Sequence, residues 1–243
     1  MYGVENTRII FIDTKNEDDD TYRFKADCEK WYGCIIETIY SEKYDNIEDV
    51  WYDSLSLGLA KGAKCSAELK IIVRQQFTKR NGFSYQAFGY DNGEVSRAND
   101  MKNSNPHLRP IFPLLMFWLS KYDCIKQVLS ANTLFLSIAL PKTYKLGLEN
   151  NNCFKTGCVQ GGIGYWQWMQ KNEPKKFEAM AKREHDITDM KGEPVTILKD
   201  QSKGGGLVFL KPHASYPHMK DITMMKGRKP ENLIECNGFC SKK

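Results

Sequence analysis

Cysteine is the residue type whose spacing carries the most chemical information in this chain. Cys153 and Cys158 bracket Phe-Lys-Thr-Gly, and Cys236 and Cys240 bracket Asn-Gly-Phe, so each pair encloses a glycine that lets backbone amides bend toward a common centre. Two such knuckles make a four-thiolate site, the arrangement that holds structural zinc or a four-iron cluster. The spacings, four intervening residues and three, match neither the commonest zinc ribbon nor a standard ferredoxin run. The metal therefore stays open between zinc and iron–sulfur, with reduced thiols in two unrelated loops as the alternative. Cys65 stands just ahead of a helical segment carrying Lys70 and Arg74, a setting that lowers a thiol's pKa and admits a reactive thiolate or a further ligand, against the plainer reading of a buried inert cysteine. Cys28, Cys34 and Cys124 stand singly in apolar or helical surroundings and read as core.

Charged residues at the ends of apolar runs come next. Phe11-Ile12 leads into Asp13-Thr14, with Glu17 following. Ligands of open parallel sheets bind beyond the carboxyl ends of strands, so Asp13, Thr14 and Lys15 stand where a nucleotide's base or ribose would be met. Glu94 and Arg97 follow another strand. With Lys70 and Arg74 they offer cations for phosphate or sulfate oxygens and a carboxylate to orient them, against the plainer reading of a solvated charged loop. His213 and His218 fit no standard zinc helix and read as loop residues; Trp166 and Trp168 read as core.

The elements that position these residues follow from patterning. Arg8 to Ile12 is a β-branched run suited to a buried parallel strand, Asp18 to Trp31 an amphipathic helix with acidic residues at its start, and Ile35 to Tyr40 a second strand. This is a β-α-β unit of the kind that builds doubly wound α/β sheets. Glu68 to Phe77 predicts a helix, Phe83 to Tyr90 an alternating strand, Leu114 to Asn132 mostly helix and Pro174 to Asp186 another helix. Residues 153 to 165, 199 to 206 and 213 to 229 read as loop. The 243 residues suit one elaborated domain, and 41% hydrophobic with 27% charged residues excludes a disordered or collagen-like chain. No stretch approaches a membrane span; the longest candidate, Ile111 to Leu119, is half the needed length and reads as buried core. The expectation is a cytoplasmic protein without a membrane partner, in which paired cysteines favour metal or redox chemistry over disulfides. A net charge of +5 admits an anionic ligand without demanding nucleic acid, which stays open as a substrate.

Taken in order, several segments resemble the phosphoadenosine phosphosulfate reductase family of the PP-loop, or adenine nucleotide alpha hydrolase-like, superfamily, especially its small reductase-like members of phages and bacteria. FIDTKNE is similar to the family's second-strand segment, AKCSAELK to its Cys-plus-Lys segment and GYDNGEVSRA to its Glu-Ser-x-Arg loop. IFPLLMFWLSKYD is similar to its Pro-Leu-x-x-Trp helix entry, PKTYKLGLENNNCFKTGC to the stretch entering its cysteines, and ECNGFC to its terminal Glu-Cys-Gly-Leu-His. The resemblance implies a Rossmann-like parallel sheet over residues 1–150 and a Cys-rich, loop-rich extension over 151–243. It implies an adenine nucleotide ligand, whether phosphoadenosine phosphosulfate, adenosine phosphosulfate or ATP. Asp13 and Thr14 would lie near the adenosine, and Lys70, Arg74, Glu94 and Arg97 near its phosphates or sulfate. Cys236 would be the nucleophile on sulfur, resolved by a thioredoxin-like reductant, with Cys65 a second reactive thiol. The second cysteine at 240, in place of Gly-Leu-His, makes ligation by Cys236 and Cys240 an equal reading.

One family element has no counterpart in the chain. The family's first strand and its Ser-Gly-Gly-x-Asp-Ser phosphate loop should precede the FIDT strand, and no Ser-Gly-Gly occurs here. Loss of a central parallel strand would leave two neighbouring strands unpaired on one side. The expectations are upstream sequence missing from the chain, a partner chain that supplies the strand and loop, or a degenerate, non-catalytic, metal-stabilised member serving as a binding module.

Overall fold

The computed structural model describes residues 3–57, 63–133, 137–148 and 153–230. It is an α/β protein, about half helical. Strand β1 (Ile9–Ile12) runs into helix α1 (Asp19–Tyr32) and returns as β2 (Ile36–Ile39), which lies parallel to β1 in the register Ile9 to Ile36 through Ile12 to Ile39. The expected β-α-β unit is therefore present. Asp18 starts α1 by accepting the Asp20 amide, Asp19 and Asp20 lie at the positive end of the helix dipole, and Gly33 ends it in the left-handed conformation at φ 65°. Cys28 of α1 is buried against Ile36, with Phe24 and Trp31 beside it.

Helix α2 (Ile47–Ser54) starts on an Asn46/Asp49 capping box. After it comes one long helical stretch in three parts: α3 (Lys64–Ser66), a π-helical turn (Ala67–Ile71) and α4 (Ile72–Asn81). A second parallel pair, β3 (Gln86–Ala87) and β4 (Pro110–Ile111), flanks α5 (Val95–Ser104). The chain continues through α6 (Pro113–Met116), α7 (Lys121–Thr133), α8 (Lys142–Lys145), α9 (Ile163–Asn172) and α10 (Pro174–Lys191). It closes with a three-stranded sheet of β5 (Leu198–Lys199), β6 (Leu207–Phe209) and β7 (Lys220–Asp221), antiparallel between β5 and β6 and parallel between β6 and β7.

The largest core joins Trp51, Leu57 and Leu69 to Trp166 and Met169 of α9, Phe177, Met180 and Ile187 of α10, and Ile197, Val208 and Leu210 of the last sheet. Trp166 is fully buried, as its reading as core expects. Glu184 ties α10 to that sheet: it is wholly buried, and its two carboxylate oxygens accept the amides of Ile197 at 2.8 Å and Leu210 at 2.6 Å.

Three expectations over residues 83–132 change, and the predicted loops 153–165 and 213–229 give way in part to the start of α9 and to β7. The strand predicted over 83–90 is reduced to Gln86–Ala87, extended by the Phe88 amide donating to the Ile111 carbonyl, because Phe83 and Tyr85 face solvent. The 114–132 helix breaks at 117–120, where Trp118 takes φ 53° and Asn92 donates its amide N–H to the Leu119 carbonyl. Met116, Phe117 and Trp118 there are 56–68% exposed, so the apolar run from Ile111 to Leu119 is not uniformly core. Among the described residues no helix is long and apolar enough to cross a membrane.

Candidate functional site

The loop leaving the carboxyl end of β1 is built from its own side chains. The Asp13 amide donates to the Ile39 carbonyl and so prolongs the parallel ladder by one bond. The Asp13 carboxylate then accepts the Lys15 amide at 2.7 Å and the Tyr22 hydroxyl at 2.9 Å, holding Lys15 in the left-handed region at φ 57°. Burial, together with Asp13, pushes the Tyr22 phenol well above its ordinary value, so its proton stays on the bond to Asp13. This turn drives Thr14, Asn16 and Glu17 inward; all three are buried, while Lys15 points to solvent.

The cysteine loop packs on these three. The Asn16 carbonyl accepts the amides of Phe154 and Lys155, and its side-chain amide donates to Thr156 Oγ1 at 2.8 Å. Thr14 Oγ1 lies 3.6 Å from Cys153 Sγ and donates to Glu17 Oε1 at 3.0 Å. With that hydroxyl proton directed at Glu17, a Cys153 thiol donates toward Thr14; a Cys153 thiolate would instead draw the hydroxyl proton to itself. Cys158 is held by its amide, which donates to the Tyr165 hydroxyl at 3.2 Å, and by its carbonyl, which accepts the Gly161 amide. Tyr165 is buried, which pushes its phenol far up and keeps it neutral. Gly157 sits between the two cysteines at φ 85°, with Trp166 packed where a side chain would begin.

Lys70 approaches from the other side, on the π-helical turn. Its Nζ is 4.0 Å from Glu17 Oε1, and both side chains are largely shielded from water. Such turns are rare and recur at functional positions. Cys65 lies at the amino end of the same helical stretch and packs against the core that contains Cys153 and Cys158. The exposed Lys15 and Lys155 place two more ammonium groups on the rim, paired with Asp45 at 3.8 Å and Asp19 at 3.1 Å.

Asp13, Thr14, Lys70 and Cys153 thus gather around Glu17 and the loop that carries it, while Cys158 is tied to Tyr165 and Gly161. Arg74, Glu94 and Arg97 form a second group around β3 and its exit. Arg74 donates to the Gln86 side chain at 2.9 Å and lies over Phe88, and burial lowers its guanidinium to about 10, still protonated at neutral pH. Arg97 pairs with Glu94 and lies 5.1 Å from the centre of the buried Tyr90 ring. Glu94 also belongs to a capping box with Asp91 that starts the 3-10 turn Asn92–Glu94 leading into α5. Cys236 and Cys240 lie outside the described residues.

Cys153 and Cys158 suit half of a four-thiolate centre, being two buried sulfurs on one glycine-containing loop. Among the described residues, no group of three or more His, Cys, Asp or Glu side chains is gathered as a metal ion would need. The residues that sequence reasoning overlooked are Asn16, Thr156 and Tyr165, while Glu17 was noted without a role. Their signal was a run of small polar residues directly after an apolar strand and again between two cysteines, which a surface loop would also show. His213 is likewise more than loop: it is buried between Phe209 and His185, and its Nδ1 accepts the Ser215 amide. No family model, curated protein or solved structure matches the chain.

Proposed function

We propose that this chain is an adenine-nucleotide-binding protein of the phosphoadenosine phosphosulfate reductase type, acting in sulfur transfer or at the nucleotide's α-phosphate beside a cysteine-held zinc or iron–sulfur centre. The observation that carries the reading is the buried Glu17, reached by Thr14 and Lys70, with Cys153 on the same threonine hydroxyl. It unites the carboxyl end of a parallel strand, a cation and a cysteine loop in one place, where α/β sheets bind ligands. In this reading the two parallel pairs are flanks of one Rossmann-like sheet. Its middle strand and phosphate loop, which have no counterpart in this sequence, are supplied by a partner chain. The ladders support it: among the described residues β1 pairs with β2 alone and β3 with β4 alone, while parallel strands normally lie in larger sheets covered on both faces. Cys236 and Cys65 are the thiols available for chemistry on sulfur, with a thioredoxin-like protein as reductant.

Calorimetric titration of the full chain with ATP, adenosine phosphosulfate and phosphoadenosine phosphosulfate tests this. Binding of at least one, weakened about tenfold or more by Lys70→Ala, is expected; heats indistinguishable from dilution for all three overturn the reading. Metal analysis after anaerobic purification is expected to find zinc or iron, and less of it in Cys153→Ser.

One observation favours a second reading, a non-catalytic metal-stabilised binding module. The cations assigned to phosphate already face protein groups, Lys70 meeting Glu17, Arg74 meeting Gln86 and Arg97 meeting Glu94. That module would show no nucleotide heat and a melting temperature lowered by a chelator.

A further inference from the structure

A cleft of about 420 Å³ opens at the amino ends of β3 and β4, the rim of that strand pair away from the exit loop that carries Glu94 and Arg97. Tyr85, just before β3, forms one side and is half exposed. Pro106, Pro110 and Ile111 give an apolar floor, Lys102 comes from the last turn of α5, and Arg109 precedes β4. No carboxylate lines the cleft, and among the described residues neither Lys102 nor Arg109 makes an ion pair. Arg109 is held at φ 45°, closing the turn that starts at Pro106, a conformation unfavourable for an arginine.

We infer that this cleft binds a nucleotide unit, its base on the Tyr85 ring and its phosphate between Lys102 and Arg109. An exposed aromatic face is a platform for a flat base, an apolar floor excludes water beneath it, and two cations without acid partners suit a phosphate. The volume lies in the range that small ligands occupy. The same unit can arrive as a free mononucleotide or within a single strand of nucleic acid. The inference goes beyond the proposed function, because the ligand sits at the amino ends of β3 and β4, while Thr14 stands past the carboxyl end of β1.

Fluorescence anisotropy and calorimetry on the full chain, with AMP, inorganic phosphate and a labelled ten-residue thymidine oligonucleotide, test it. AMP or the oligonucleotide should bind at low salt. Tyr85→Ala should weaken that binding about tenfold, and so should the pair Lys102→Gln with Arg109→Asn, Asn being chosen because it tolerates the left-handed backbone. Lys70→Ala should leave binding of the thymidine oligonucleotide, which carries no adenine, unchanged, which separates this cleft from the nucleotide site proposed above. Tighter binding of the oligonucleotide than of AMP identifies the strand as the source; equal binding per nucleotide identifies the free nucleotide. The inference is overturned if neither probe binds, if phosphate alone binds as tightly as AMP, or if the variants, with wild-type melting temperatures, bind as the parent does.

Discussion

Glu184 is the residue whose chemistry is most sharply set by its surroundings. It is fully buried, and burial raises its carboxyl from 4.5 to about 8 against the pull of the Ile197 and Leu210 amides. Between those two values the folded chain keeps a proton that the unfolded chain has released, so stability is full below about pH 4.5 and declines as pH rises toward 8. The loss across that window is on the order of 4 kcal/mol. Glu184→Gln cannot ionise, but its NH₂ leaves one of the two amides without an acceptor, at a cost of about 1–3 kcal/mol. Urea unfolding at pH 5 and pH 8 should find the variant less stable than wild type at the lower pH, with the gap narrowing or reversing at the higher. A gap that stays constant would show that Glu184 does not titrate in this range. Nothing in the sequence marked this glutamate, because its position on α10 reads equally well as a solvated face.

The cysteine loop shows how an element depends on one backbone position. A Cβ at Gly157 would stand 2.6 Å from Trp166 Cη2, and the residue's φ of 85° is itself unfavourable for any side chain. Gly157→Ala should therefore cost about 2–4 kcal/mol, summing the left-handed penalty and overpacking. Gly33→Ala makes the comparison, since Gly33 lies in the left-handed region at φ 65° with open space around it and should cost only about 1 kcal/mol. Equal urea midpoints for the two variants would mean that Trp166 gives way. Elements with strong local signals were legible beforehand: β1 and β2 announced themselves by apolar β-branched runs, α1 by its amphipathic pattern and acidic start, and α10 by Pro174. The two- and three-residue strands β4 to β7 are too short to show an alternating pattern, and the pairing of β5 and β6 is supported by distant contacts such as those of Glu184. In the site, the strand-end residues and the cysteines were readable by type. Their meeting through Asn16 and Glu17 was not, since it depends on tertiary contacts over more than a hundred residues of chain.

For the whole molecule, the incomplete sheets matter most. The four residues of β1 are apolar yet none is fully buried, and among the described residues the strand is paired on one side only. Such an edge recruits further strands. Sedimentation velocity of the full chain is expected to show association that grows with concentration, and a single monomeric species throughout a broad concentration range would contradict it. The π-helical turn has a consequence at the same scale. An α-helix advances 100° per residue, so the extra residue in the turn shifts the angular phase of everything beyond it by about that amount. Cys65 and Arg74 therefore do not share the phase that a plain helix would give them, and Lys70 sits where the phase changes. The residues of 67–71 act as a rotational offset between the Glu17 loop and β3, and removing a single one would misalign the two groups even with every backbone hydrogen bond restored.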